Sequence, residues 1–171
     1  IPKYLNSECE KVINGKNNTW IVFGRDRVAS RFSGYGGKGD TQCGSIDIVA
    51  GRMGHAARET DDKGETIYVD PNLKLDASRI YISQKTDVDK NFGLADGSVG
   101  NAIAKSAVVM KADGVRLIAR EGIKLVTRTD RQNSQGADVE QISGIDLIAG
   151  NDDKDLQPMV KGSNTAEALE E

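Results

Sequence analysis

The sequence predicts a mainly β protein made of short strands that are separated by glycines. Apolar and polar residues alternate over runs of five to six residues that are rich in β-branched side chains, which is typical of strands. Glycine contributes 19 of the 171 residues and proline only 3, so glycine ends most of these runs. We expect the strands to form a sandwich, or else a β-solenoid or prism, followed by the start of a C-terminal helix.

The predicted strands are distributed along the whole chain. Residues 19–24 contain the only tryptophan and form the most apolar run, which favours a place in the core. The octapeptide 44–51 (GSIDIVAG) has a near-repeat at 143–150 (SGIDLIAG). The other predicted strands are residues 77–83, 106–112, 114–119 and 122–127.

Side chains alternate between the two faces of a strand, so the sequence assigns a face to each residue. In the first octapeptide, Ile46 and Ile48 lie on one face and Asp47 and Val49 on the other. The later runs repeat this second face, with a charged residue beside an aliphatic one. A face exposed only to water does not need aliphatic residues, so we expect subunit contacts there. The predicted subunit contacts are Val49, Ile118, Val126 and Ile148.

Glycine spacing in the C-terminal half leaves two interpretations open. Gly114 and Gly122 lie eight residues apart, and each follows an acidic residue. An acidic residue followed by glycine suits a tight turn, because glycine adopts positive φ without steric cost. One interpretation is a three-stranded meander within one subunit. The other is a β-solenoid or an intertwined trimeric prism, whose units cannot cover their apolar faces alone. We therefore expect self-association and favour a homotrimer.

The chain is predicted to have one β-rich structural domain and the start of a helix. The predicted divisions are 1–162, with possible sub-units 1–70 and 71–162, and 163–171. The last division is helical because Asn164, followed three positions later by Glu167, matches a capping box. We expect this helix to be truncated at the end of the sequence.

Composition argues against several classes of function. The net charge is −3 at pH 7, and no local basic block supplies the positive surface that nucleic acid requires. No run approaches the roughly 20 consecutive apolar residues of a membrane-spanning helix. The single histidine, His55, forms no motif for a zinc site or for a nucleophile–base pair. Cys9 and Cys43 lack a CxxC spacing and are predicted to be buried free thiols, with a disulfide between them as the alternative. We predict no enzyme activity, no nucleic-acid or membrane partner and no resident cofactor.

One candidate metal site lies in residues 86–93 (TDVDKNFG). Asp87, Asp89 and Asn91 occupy alternate positions, as oxygen ligands do in calcium-binding loops. The glycine comes one position late, and Ser98 stands where such loops place a bidentate glutamate. A solvated turn with side-chain-to-backbone hydrogen bonds is the favoured alternative to a Ca²⁺ site.

Six sequence segments of the chain resemble a known family. They are residues 20–27 (WIVFGRDR), 33–52, 68–72 (YVDPN), 77–94, 122–127 (GIKLVT) and 156–162 (LQPMVKG). Together they resemble a family of tailed-bacteriophage virion proteins. The resemblance implies a structural protein of the virion, assembled in the bacterial host cytoplasm, whose partners are copies of itself and other virion proteins such as major capsid or tail proteins. One departure is Asp40, where similar proteins have histidine.

The function we predict is that of a self-associating capsid decoration or cement protein. Its contacts with the rest of the particle are predicted in the segment 25–39, at Arg25, Arg27, Arg31, Tyr35 and Lys38. A tail, neck or baseplate part, such as a spike or fibre, is the alternative among structural proteins. A virion-associated glycan-processing enzyme and a cell-surface binding module are the alternatives from other classes. An enzyme should contain a pocket with convergent polar groups.

Overall fold

The computed structural model describes residues 1–26, 43–160, 165 and 167–169. The strands in these ranges are β1 Lys3–Tyr4, β2 Lys11–Asn14, β3 Thr19–Arg25, β4 Gly44–Ala50, β5 Tyr68–Val69, β6 Ser78–Thr86 and β7 Lys105–Lys111. The helices are a 3-10 helix at Gly54–Ala56 and α1 at Val88–Phe92. Residue 165 and residues 167–169 are also helical, as predicted for the end of the chain. The predicted mainly β class is confirmed.

Five strands form one open antiparallel sheet in the order β2-β3-β4-β6-β7. β1 and β5 form a separate two-stranded parallel ladder. The predicted strands 19–24, 44–51, 77–83 and 106–112 correspond to β3, β4, β6 and β7. The sheet leaves β2 and β7 as edges, and no closed sheet forms among the described residues.

Residues 112–160, all of which are described, contain no strand. The prediction of strands at 114–119, 122–127 and 143–150 is therefore wrong for the single chain. The three-stranded meander within one subunit is excluded as well, because β7 is the only one of its strands that forms. A strand needs a neighbouring backbone to bond with, and within the described chain these runs have none.

The core lies on one face of the sheet, which we call the covered face. The strand register places Trp20, Val22, Val49 and Tyr81 on this face, and all four are buried. Tyr4 of β1 packs against it, with its ring 5.9 Å from that of Trp20. The N-terminal strand thereby helps to seal this side from water.

A cluster of four charged residues is buried in the same core: Asp47, Arg52, Asp76 and Arg79. Arg79 donates from Nε to Asp47 Oδ1 and from Nη2 to Asp76 Oδ2, each at 2.7 Å. Arg52 adds contacts of 3.4 Å to Asp47 and 3.3 Å to Asp76. Burial alone would lower the pKa of Arg79, but its hydrogen bonds and the charges of the two aspartates raise it. Two positive and two negative charges balance, so the cluster is tolerated in the core.

Arg52 is held in place by rings as well as by carboxylates. Its guanidinium carbon lies 4.7 Å from the Tyr4 ring centroid and 5.7 Å from that of Trp20, within range of a cation–π interaction. Asn18, which has φ 55°, accepts from Trp20 Nε1 at 2.7 Å and donates to the Arg52 carbonyl at 3.0 Å. These contacts tie the start of β3 to the end of β4.

Candidate assembly interface

The other face of the sheet, which we call the open face, is apolar and is not covered by any described residue. Cross-strand partners place its side chains in two rows that run across all five strands. The first row is Ile13, Ile21, Ile48, Ile80 and Met110. The second row is Phe23, Ile46, Ile82 and Val108, with Lys11 at the β2 end. Most of these side chains are exposed and the others are half-buried, whereas a sheet with one solvated face normally turns its apolar side inward.

A groove of about 700 Å³ follows the first row of the open face. Its lining includes Ile48 and Ile80 from the sheet, together with Val115 and Arg116 from the chain that follows β7. The chain then leaves the groove, since Ile118 is 89 % exposed. The described part of the chain therefore borders the open face but does not cover it.

Residues 114–127, which we call the extended segment, form a second uncovered apolar surface. Its exposed aliphatic residues are Val115, Leu117, Ile118, Ile123, Leu125 and Val126. No backbone–backbone hydrogen bond joins this segment to any described residue. Exposed aliphatic surface of this extent marks an interaction site in soluble proteins. The segment can form strands with another chain without any change in β1–β7.

The structure corrects the predicted subunit contact at Val49. This side chain is 2 % exposed and packs in the chain's own core. The reason is that Arg52 and Arg79 neutralise Asp47, the charged neighbour on the same face, so this face can turn inward. Val49 therefore has no free surface to offer a second chain.

Two of the other predicted subunit contacts are fully accessible. Ile118 is 89 % exposed and Val126 is 68 % exposed. Both lie in the extended segment, on the sides that also carry Arg116 and Lys124. Their part in an interface stays a prediction, but nothing in the described chain covers them.

Ile148, the fourth predicted subunit contact, is half-buried against a loop of its own chain. The neighbouring Asp146 accepts from the Val99 amide at 2.7 Å, and Asp153 accepts from the Gly97 amide at 2.9 Å. A Cβ at Gly97 would collide with the Asp146 carboxylate. The second octapeptide is thus fastened to the loop after α1 by side chains rather than by strand pairing.

The predicted calcium ligands are each engaged in a separate hydrogen bond. Asp87 and Asp89 each accept, at 2.7 Å, from a backbone amide of the loop before β7. Asn91 donates to the Thr86 hydroxyl at 3.0 Å. The described residues contain no group of three His, Cys, Asp or Glu side chains that could hold a metal ion. These contacts are those of the alternative interpretation, a turn with side-chain-to-backbone hydrogen bonds.

A second buried polar cluster surrounds Asp26, directly after β3. The hydroxyls of Tyr81 and Ser83 donate to Asp26 Oδ2, that of Ser83 at 2.6 Å. The Tyr81 oxygen also lies 2.9 Å from Thr86 Oγ1. Burial, reinforced by the nearby charge of Asp26, raises the pKa of Tyr81 well above its usual range. Tyr81 therefore keeps its proton at neutral pH and links β6 to the end of β3.

Only some of the residues predicted to contact the particle lie within the described part of the chain, whereas both cysteines do. Arg25 is half-buried at the end of β3. The other predicted particle contacts, Arg27, Arg31, Tyr35 and Lys38, lie outside the described residues. Neither Cys9 nor Cys43 forms a disulfide in the described structure. Cys9 is exposed and Cys43 is buried, so the prediction of a buried thiol is confirmed for Cys43 alone.

The open face is not among the contact surfaces that the sequence predicts. The sequence feature that could have indicated this face is a pair of isoleucines two residues apart in each of two strands, Ile46 and Ile48 in β4 and Ile80 and Ile82 in β6. Alternation alone identifies such a face but does not say which side of the sheet the rest of the chain covers.

No helix in the described part of the chain is long and apolar enough to cross a membrane. Comparisons of the chain with protein-family models, curated proteins and solved structures gave no match. The function is therefore argued from the geometry of the open face and the extended segment.

Proposed function

We propose that this chain is a structural subunit that assembles with copies of itself into a homotrimer. The observation that carries the proposal is the extended segment, which has a strand-like sequence, aliphatic residues on both sides and no backbone partner among the described residues. Fully burying a side chain such as Ile118 or Val126 contributes about 1.5–3 kcal/mol. Two such residues in each copy supply several kcal/mol against the entropic cost of association.

In the proposed trimer, the extended segments of three chains run together as an intertwined β-prism. Pairing between copies supplies the backbone hydrogen bonds that the single chain does not make. Gly114 and Gly122 begin the two strand-like runs of each copy and suit the corners of such a prism. Closed three-fold symmetry gives every copy the same contacts and stops growth at three.

We infer that this assembly is part of a tailed-bacteriophage virion. The support is the resemblance of six sequence segments to tailed-bacteriophage virion proteins, together with two apolar surfaces that no described residue covers and that suit contacts with other proteins. A decoration or cement protein on the capsid is the role we favour, and a tail, neck or baseplate part is the alternative. Mass spectrometry and a density map of purified particles test this role. Absence of the chain from the particle contradicts it.

Self-association is tested by the mass of the protein in native buffer. We expect a species of three 18.4 kDa chains for the wild type and a shift toward monomer for Ile118→Asp and Val126→Asp. Met159→Asp is the matched control, because Met159 is equally exposed but lies outside both apolar surfaces. Circular dichroism should show an unchanged sheet in all three variants. A monomeric wild type at tens of micromolar contradicts the proposal.

A further inference from the structure

The two uncovered apolar surfaces of this chain match each other in size and chemistry. The open face is a broad aliphatic surface, and the extended segment is a narrow one. We propose that the open face of each copy is the binding site for the extended segment of the next copy. The side of the segment that carries Leu117 and Leu125 packs on this face. This inference rests on the self-association proposed above and names the two surfaces that meet.

The dimensions of the two surfaces agree. Neighbouring strands lie about 4.8 Å apart, so five strands span about 19 Å from β2 to β7. A run of six extended residues, such as 114–119 or 122–127, spans about 20 Å. Each run can therefore cross the open face once, along one of its two rows.

The charges of the segment select which of its sides packs on the open face. In each run, Leu117 or Leu125 lies on a side without a charged residue, whereas the opposite side carries Arg116 or Lys124. The open face is apolar along both rows, with Lys11 at one end. Burying a charge against such a surface costs free energy, so the uncharged side is the one that fits.

The available area suffices for a stable contact. The exposed side chains of the open face present on the order of 600 Å², as much as the largest apolar patch of a typical monomer. A contact that covers this face with a similar area of the segment buries on the order of 1,200 Å² in total, at the lower end of the range for a standard interface.

The described residues of the same chain do not fill the groove, so a second copy is the occupant that we favour. The segment reaches the groove only as far as Val115 and Arg116, and Leu117 and Ile118 beyond them are exposed. The contact joins two different surfaces and is therefore heterologous, and three such contacts close a ring.

The experiment is complementation between two variants. Ile48→Asp damages the open face and leaves the segment intact, whereas Leu117→Asp damages the segment and leaves the open face intact. We expect each variant alone to associate at least tenfold more weakly than the wild type. An equimolar mixture should form one-to-one dimers, because the intact segment of one variant fits the intact face of the other. Leu75→Asp is the control for Ile48→Asp, since Leu75 is equally exposed and lies outside the sheet.

The outcomes separate this inference from the proposed function. If Ile48→Asp trimerises like the wild type while Ile118→Asp does not, the open face is not the binding site, but self-association stands. If the mixture associates no better than either variant alone, the contact does not pair the open face of one copy with the extended segment of another, and the inference is overturned. If the wild type is a monomer, both proposals fail.

A cross-linking measurement covers the case in which Ile48→Asp does not fold. Ile80→Cys and Leu117→Cys are placed in separate chains that also carry Cys9→Ser, since Cys9 is the exposed native thiol. A short bifunctional maleimide should join the two chains when they are mixed. Cross-linked dimers at the same yield from a partner with Met159→Cys in place of Leu117→Cys overturn the proposed pairing.

Discussion

The two copies of the octapeptide repeat, 44–51 and 143–150, take different structures in the same chain. The first copy is β4, paired on both sides by β3 and β6. The second copy has no strand neighbour within the described ranges, and its Leu147 is 71 % exposed. The local sequences are nearly the same, so the difference shows that a pairing partner, rather than strand propensity, decides which copy folds within one chain.

The comparison extends to the aspartate in each copy. Asp47 is buried between Arg52 and Arg79, whereas Asp146, only partly buried, accepts one backbone amide of a loop. The same residue therefore serves the core in the first copy and a surface tether in the second.

The largest effect on stability is expected when the aspartate of the first octapeptide is replaced. Asp47→Asn leaves the buried Arg52 and Arg79 with one carboxylate between them, so the free energy of unfolding should fall by about 3–5 kcal/mol. Asp146→Asn is the matched control and should cost about 1–2 kcal/mol, since it weakens one charge-assisted hydrogen bond. Urea denaturation of both variants measures the difference. Equal losses would contradict the buried ionic core.

A smaller effect is expected at the glycines that fasten the second copy. Gly97→Ala and Gly100→Ala both place alanine at positive φ, which costs roughly 1–2 kcal/mol in each case. At Gly97 the new methyl group also collides with Asp146, whereas nothing lies near that of residue 100. Hydrogen exchange at the Val99 amide should therefore accelerate more in Gly97→Ala. Similar exchange rates in both variants would show that the tether does not depend on this close approach.

The last effect is confined to alkaline pH and concerns the link between β6 and the end of β3. The pKa of Tyr81 is raised in the fold, so the protonated hydroxyl stabilises the folded state at neutral pH. This contribution is complete below the unfolded pKa of about 10 and is lost as pH rises from there toward the higher folded value, by up to about 1.4 kcal/mol per pH unit. Tyr81→Phe should flatten the fall in unfolding free energy above pH 10.

Tyr68→Phe is the control for this pH dependence, because Tyr68 is exposed. It should keep the wild-type profile. An unchanged profile in Tyr81→Phe instead would show that another group governs stability in alkali.

The sequence predicts the class of the fold and the central strands, since β3, β4, β6 and β7 carry strong alternation. It does not predict β1, β2 and β5, which are short or weakly patterned. It also assigns β4 the wrong exposed face, because Asp47 becomes buried only through Arg52 and Arg79, which lie elsewhere in the chain. Local alternation contains no information on that long-range pairing. Ile118 and Val126 are exposed in the described chain, and their place in a subunit interface stays a prediction.

The aliphatic open face has a consequence for how the proposed assembly responds to temperature. Attraction between apolar side chains weakens on cooling, whereas the core beneath the sheet is also held by ion pairs and hydrogen bonds. Chilling should therefore separate the copies before it unfolds any of them, and gentle warming should bring them back together. Subunits of this kind are best stored and handled near room temperature.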